Sequence, residues 1–379
     1  MTPPLAGLRI LEIAGIGPGP FCAMMLADHG AEVIRIERPG EGSALQVAAK
    51  DPLLRSRRTI ALDLKKREAV LAVRRLALDC DGLIEGFRPG VMERLGLGPE
   101  PLLADNPKLV YGRMTGWGQT GPMATDVGHD INYIAISGAL HAFGEAGGKP
   151  VPPINLVGDF GGGGMMLAFG MLAAILQAQA TGHGQVVDCA MTDGSALLMS
   201  MMWGFRATGR WGNDRGTNLL DGGAHFYGTY QTADGKWVAI GAIEPQFYAA
   251  LRTVAGLDGP EWDAQFATAT WPKLKDELAR RFKTRSQTEW VEAFTGHEAC
   301  FAPVLGFDEA AAHPHNVARA TFVEAGGVVQ PAPAPRYSVS GTVPPAMARP
   351  AETDAILAEY GFGGDEIAAL HEAGAMGDG

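Results

Sequence analysis

Apolar and polar positions alternate in two distinct ways along the first half of the chain. Residues 8–14 (LRILEIA) form a short apolar run that ends in the turn Gly15-Ile16-Gly17-Pro18-Gly19-Pro20. The run predicts a strand, and the spacing behind the turn predicts a helix over 21–28. Residues 32–38 (EVIRIER) and 59–64 predict two further strands, and 67–78 carries apolar residues at helical spacing. Residues 83–87 (LIEGF) and 109–115 (LVYGRMT) predict two more strands. Strands that alternate with helices imply a mostly parallel sheet in an α/β layer fold.

The pattern changes near residue 191. Residues 191–225 are rich in Met, Trp and Gly with many polar breaks, and predict a linker. Residues 226–232 and 237–243 predict a hairpin around Ala233-Asp234-Gly235-Lys236, followed by helices over 245–254, 271–282 and 287–294. Residues 226–300 therefore predict a second, smaller α+β domain. Residues 301–350 contain eight prolines and predict an extended return, with 301–319 as the linker back. Short helices over 354–360 and 364–373 close the chain. The large domain is then 1–190, completed by 320–379.

A length of 379 residues suits two domains, and 46% hydrophobic against 19% charged residues is a globular balance. A net charge of −11 argues against nucleic acid and anionic membrane as partners. Residues 160–180 carry no charge, but four glycines follow Phe160 and the apolar part, 165–176, is too short to span a bilayer. A buried helix is expected there. The four cysteines are far apart without a CxxC pair, so reduced, buried thiols without zinc or disulfide are expected. Neither a signal peptide nor a peroxisomal tripeptide is evident, and the expected location is cytoplasmic.

The charge is uneven. Between Arg35 and Arg75 lie eleven of the 31 Lys and Arg residues, against five acidic ones. Such a run is either a solvated face or a site for a small polyanion. The turn at 15–20, between strand and helix, invites a dinucleotide reading, with Glu37 near the place of a ribose-binding acid. Position 20 is proline where the third glycine belongs, and Pro18 and Pro20 lack the N–H groups that would hold a pyrophosphate. A tight structural turn accounts for the segment.

Three segments carry candidate chemistry. His129 follows a Gly-rich stretch and opens a helix in Gly128-His129-Asp130-Ile131-Asn132-Tyr133. A histidine there is either structural or a base, and the helix dipole disfavours its protonated form. Asp159 lies in NLVGDFGGGG, ahead of a long apolar helix. It is either an N-cap or a carboxylate base, with Gly158 and Gly161 offering close backbone approach and N–H groups for an oxyanion. Glu244 ends a strand before Pro245, where it is solvated, caps a helix, or orients His129.

At these residues the sequence resembles the α-methylacyl-CoA racemases of the family III CoA-transferase superfamily. The likeness runs from Leu5 to about Ala373, most specifically in MTGWGQTGP, GHDINY, NLVGDFGGGG, GQVVDCAMTDGS, LDGGAHFYGTY and GAIEPQF. It implies a Rossmann-like, CoA-binding large domain, a small domain, and an interlocked homodimer with sites shared between chains. It implies His129 and Asp159 as the acid/base pair and Glu244 as the partner of His129. It implies CoA contacts at Arg38, Leu62, Asp63, Leu64, Lys65, Gly86, Phe87, Arg88, Arg94, Gly128, Asp130 and Tyr133, which gives the basic run a polyanion to bind. The implied activity inverts the α-carbon of a 2-methylacyl-CoA thioester, in fatty acid degradation, with no metal and no cofactor apart from the CoA of the substrate. The alternative within the superfamily is CoA transfer with Asp159 as the nucleophile.

Overall fold

Six short, β-branched-rich runs supply the sheet on which everything else is built. In the computed structural model, which describes residues 1–40 and 49–377, they are β1 (Arg9–Ile13), β2 (Glu32–Glu37), β3 (Arg58–Ala61), β4 (Gly82–Glu85), β5 (Val110–Thr115) and β6 (Val186–Ala190). All neighbours pair parallel, in the order β3-β2-β1-β4-β5-β6. The strand order reverses between β1 and β4, the place where ligands sit in open α/β sheets. Part of the basic run, residues 41–48, and the last two residues of the chain lie outside the described residues.

Side chains alternate across the sheet and fill a core on each face. Leu11, Ile34, Ile36 and Leu83 pack with the helix Arg67–Leu78. Ile10, Val33, Ile84 and Val110 pack with Leu167, Met171 and Ile175 on the other side. Glu12, at the centre of β1, is fully buried and survives because Arg35 and Arg57 each approach its carboxylate to 2.7 Å. The helices Thr353–Glu359 and Gly364–Glu372 return to the sheet, where Ile356, Leu357 and Leu370 complete the first core. Thr353 Oγ1 accepts the Ala61 N–H at 2.9 Å, and Asp63 N–H donates to Ala375 O at 2.9 Å.

The chain divides into two compact units. The first comprises Met1–Ser137, Ile154–Leu198 and Ala320–Gly379; the second comprises Gly138–Pro153 and Met199–Arg319. This differs from the sequence reading in two places. Residues 138–153 join the second unit, and the expected linker 191–225 contains the helices Met191–Leu198 and Ser200–Ala207, one in each unit. Methionine, alanine and leucine are good helix formers, so the segment folds despite its interruptions. The return over 301–350 is also less extended than expected. It holds β9 (Phe301–Val304), two short helices and a hairpin of β10 (Phe322–Ala325) and β11 (Val328–Pro331). In the second unit β7 (Tyr227–Gln231), β8 (Trp237–Gly241) and β9 form an antiparallel sheet.

Two further expectations need correction. Cys300 is exposed, unlike the other three thiols, and its backbone has a positive φ of 48°. The apolar helix is not wholly buried. A continuous helical stretch, Leu156–Thr181, has the length and composition to cross a membrane, and 44% of its apolar window is buried. Phe169 and Leu176 are exposed on its outer face, since a sheet can cover only one side of a helix.

His225 sits in a cage of Phe226, Tyr248 and Trp262, with Nε2 2.8 Å from the Tyr248 hydroxyl and no partner for Nδ1 among the described residues. Burial lowers its pKa to about 4. The unfolded chain binds this proton at a higher pH, so stability is lost as pH falls from about 6.5 to about 4, by on the order of 3 kcal/mol. Denaturant midpoints at pH 7 and pH 4.5 should show this loss, and His225→Gln should show less of it.

Candidate active site

The loop that leaves β1 is the floor of the site. Gly17 caps the helix Pro18–Asp28 with φ of 69°, a conformation that favours glycine, and Pro18 starts the helix with the fixed φ that suits that position. A Cβ on Gly17 would lie 3.0 Å from Asp159 Oδ2. The turn is therefore more than the structural link its sequence suggested. It brings bare backbone against a candidate base.

Two cavities open over the carboxyl ends of the strands. One, of ≈ 900 Å³, takes in Arg38 after β2 and Leu62, Asp63, Leu64 and Lys65 after β3. The other, of ≈ 1130 Å³, takes in Gly86, Phe87 and Arg88 after β4, and Gly128, His129, Tyr133 and Asp159. Gly15, Ile16, Gly17, Pro20 and Phe87 line both, so the two form one cleft. Of the basic run, Arg35, Arg55, Arg57, Arg58, Arg74 and Arg75 are held in ion pairs within the fold. Arg38 and Lys65, both exposed, stand in the first cavity without an acidic partner among the described residues. The run thus includes cations held in ion pairs and cations exposed in the cavity.

His129 lies exposed at the start of the helix Asp130–Ile136, and its N–H donates to Asn132 Oδ1 at 3.0 Å. Tyr133 closes the wall behind it. Its ring meets Trp117 edge-on at 4.8 Å, and its hydroxyl donates to Gly128 O. A Cβ on Gly116 or Gly128 would strike that ring at 2.0 and 2.8 Å, which is why the GWGQTG and GHD motifs carry glycine there.

Asp159 is not a helix N-cap. The helical turn starts at Leu156, with Asn155 before it, and the stretch Leu156–Met165 winds as a wide π-helix. Phe160 N–H reaches back five residues to Asn155 O at 3.3 Å. This geometry pushes Asp159 into the cleft, half-buried, with Oδ2 accepting from Asn155 Nδ2 at 3.0 Å. Burial raises its pKa, the Asn155 bond opposes this, the Asp130 charge raises it further, and His129 lowers it. The carboxyl is shifted toward holding a proton.

The glycines behind Asp159 face protein. A Cβ on Gly162 would lie 2.5 Å from Ser195 N, and one on Gly164 would lie 2.7 Å from Pro18 O. Gly158 is buried against the Asp130 carboxylate, and Gly161 sits between Leu156 O and the Leu198 side chain. Arg94 lies at the end of the short helix Val91–Arg94, beside Gly90 and off the cavity wall. Glu244 is in the second unit, exposed, before the helix Pro245–Ala255.

Sequence reasoning missed Glu85. It is fully buried at the end of β4, accepts the Phe87 N–H at 2.7 Å, and pairs with Arg113 at 3.0 Å. Burial raises its pKa to about 7 against the opposing pull of the Phe87 N–H and Arg113. Arg113 in turn holds Glu93 at 2.7 Å, so this chain of charges fixes the loop from 86 to 94. A Glu and an Arg at matching register on adjacent parallel strands were the available signal. Among the described residues no cluster of three His, Cys, Asp or Glu side chains is placed to hold a metal ion.

The model for CoA-transferase family III matches residues 5–353. The α-methylacyl-CoA racemase of Mus musculus is 47% identical over 97% of this chain and 96% of its own length. That of Homo sapiens is 44% identical over the same shares. The crystal structure of a CAIB/BAIF family protein from Brucella suis superposes with a TM-score of 0.80 at 26% identity, covering 95% of this chain and 100% of that one. With a parallel sheet of this order, the cleft at its switch point and these matches, the chain belongs to CoA-transferase family III.

Proposed function

We propose that this enzyme interconverts the S and R epimers of 2-methylacyl-CoA thioesters by moving the α-proton through an enolate. The observation that carries the reading is a half-buried Asp159, shifted toward its protonated form, lining the same cleft as His129. Inversion needs one group that holds a proton and one that is free, on opposite faces of one carbon. Neutral His129 takes the proton from the S epimer while protonated Asp159 delivers one, and the return uses the opposite charge states. The thioester delocalises the carbanion, so the substrate supplies its own activation and no separate cofactor enters. The cavity with Arg38 and Lys65 suits the phosphates of CoA, and Phe87 and Arg88 mark the path from there to His129.

The curated relatives named as racemases support this over acyl transfer, as does His129, which a nucleophilic aspartate has no need of. The deciding experiment incubates one pure epimer in D₂O. Deuterium enters at the α-carbon as the other epimer accumulates. Absence of exchange, together with CoA transfer to a free carboxylic acid, would leave Asp159 as a nucleophile.

The working form in this reading is an interlocked homodimer, in which Glu244 comes from the second copy and steadies the His129 imidazolium. The exposed face of Phe169, Leu176 and Met165, together with the exposed Leu197 and Leu198 of a following helix, supports a covering by another chain. Phe169→Asp should shift the mass in solution, measured by light scattering, to that of a monomer and remove most activity.

A further inference from the structure

We propose that Asp130 is a positioning residue whose carboxylate joins the two acid/base segments and holds negative charge against the Asp159 carboxyl. The inference rests on the proton-transfer reading above. Asp130 follows His129 directly and begins its helix, so its place fixes where His129 stands. Its side chain turns away from solvent, and Asp130 is 7% exposed. Oδ1 accepts the Asp159 backbone N–H at 2.8 Å, across 29 residues of chain. One residue therefore sets the separation of both groups. The approach requires glycine at the preceding position, since a Cβ on Gly158 would lie 2.4 Å from Asp130 Oδ1.

The second oxygen shows that more than a tether is built here. Oδ2 is buried and has no hydrogen-bond partner among the described residues. No cation pairs with Asp130 among them. An asparagine would make the same bond to Asp159 N–H without burying a charge, so the tether alone does not account for an acid. The titratable groups facing Asp159 are His129, Asp130 and Tyr133. Of these, Asp130 contributes the negative charge that favours a protonated Asp159, against the pull of His129.

The test compares Asp130→Asn and Asp130→Ala with wild type in the deuterium assay from pH 5 to pH 10. Turnover needs one proton donor and one proton acceptor at once, so the pH profile of kcat/KM is a bell with two apparent pKa values. Asp130→Asn keeps the acceptor and removes the charge. Its bell should move to lower pH by about half to one unit, with kcat/KM at pH 8 falling about three- to tenfold. The fall is equal for both epimers, because the equilibrium constant fixes the ratio of the two directions. The thermal midpoint should stay near wild type. Asp130→Ala should lose roughly a further tenfold in kcat as the Asp159 segment loses its tether. A bell at the wild-type position in Asp130→Asn, or a loss confined to KM, would overturn the assignment. No α-exchange in wild type would instead overturn the racemase reading, and this inference with it.

Discussion

Asp159→Asn stops epimerisation, with turnover down by about 10²- to 10⁴-fold, yet leaves one half of the chemistry running. Asparagine has nearly the same volume and can keep an oxygen facing Asn155 Nδ2. What it cannot do is hold or release a proton near neutral pH. His129 remains, and in the proposed cycle it faces the α-proton of the S epimer. The variant should therefore exchange deuterium into the S epimer without inverting it, and leave the R epimer untouched. His129→Ala should show the mirror pattern, with exchange into R alone. CoA binding should persist in both, since the cavity of Arg38 and Lys65 is distinct from either base. Chiral separation with mass spectrometry of the recovered thioesters reads all four outcomes. If one variant inverts at near-normal rate, one base suffices and the pair is wrongly assigned.

Gly194→Ala is expected to destabilise the fold by about 3 kcal/mol or more, at or above the usual range for overpacking. Its Cβ would fall 1.8 Å from Gly162 O and 2.6 Å from Gly162 C. Both of these are backbone atoms, which cannot swing aside as a side chain can. The helix Met191–Leu198 and the wide turn at Leu156–Met165 would have to separate, taking Asp159 with them. Gly204→Ala is the control. It lies in a helix with nothing within 4 Å of the added methyl, and should change stability by less than about 1 kcal/mol. Chemical denaturation of the three proteins measures the difference. Equal midpoints for Gly194→Ala and Gly204→Ala would mean that the glycine contact bears no strain.

The elements with strong periodicity were legible. The helices Arg67–Leu78, Trp271–Phe282 and Gln287–Phe294 lie where apolar spacing puts them. Strand β6 was not separated from its motif, because VVDCA is short and runs straight into a helix. The wide turn carrying Asp159 was equally hidden. Glycine permits a π-helix but does not require one, and what holds it are contacts to Pro18, Gly194 and Ser195 that lie far off along the chain. For the same reason Gly17 read as a plain turn residue. Its meaning depends on a carboxylate 142 positions away. His129 and Asp159 stood out by motif, and Asp130 stood beside them as an implied CoA contact, but its bond to the Asp159 N–H shows only in the fold, and Glu85 is informative only through what it touches.

The return of residues 353–372 to the first sheet has a consequence for synthesis. All six strands of that sheet have left the ribosome soon after residue 198, but Ile356, Leu357 and Leu370 have not been made. Residues 199–352 come between, a wait of roughly 10 s to 30 s at ordinary elongation rates. Through that interval part of the apolar face around Leu11, Ile36 and Ile60 stays bare, a surface that chaperones would shield. The second unit, by contrast, is made almost in one piece and can finish first. Pro350, Thr353 and Gly377 also form one wall of the cavity that holds Arg38 and Lys65. A nascent chain therefore cannot complete that wall until residues 350–377 have been made.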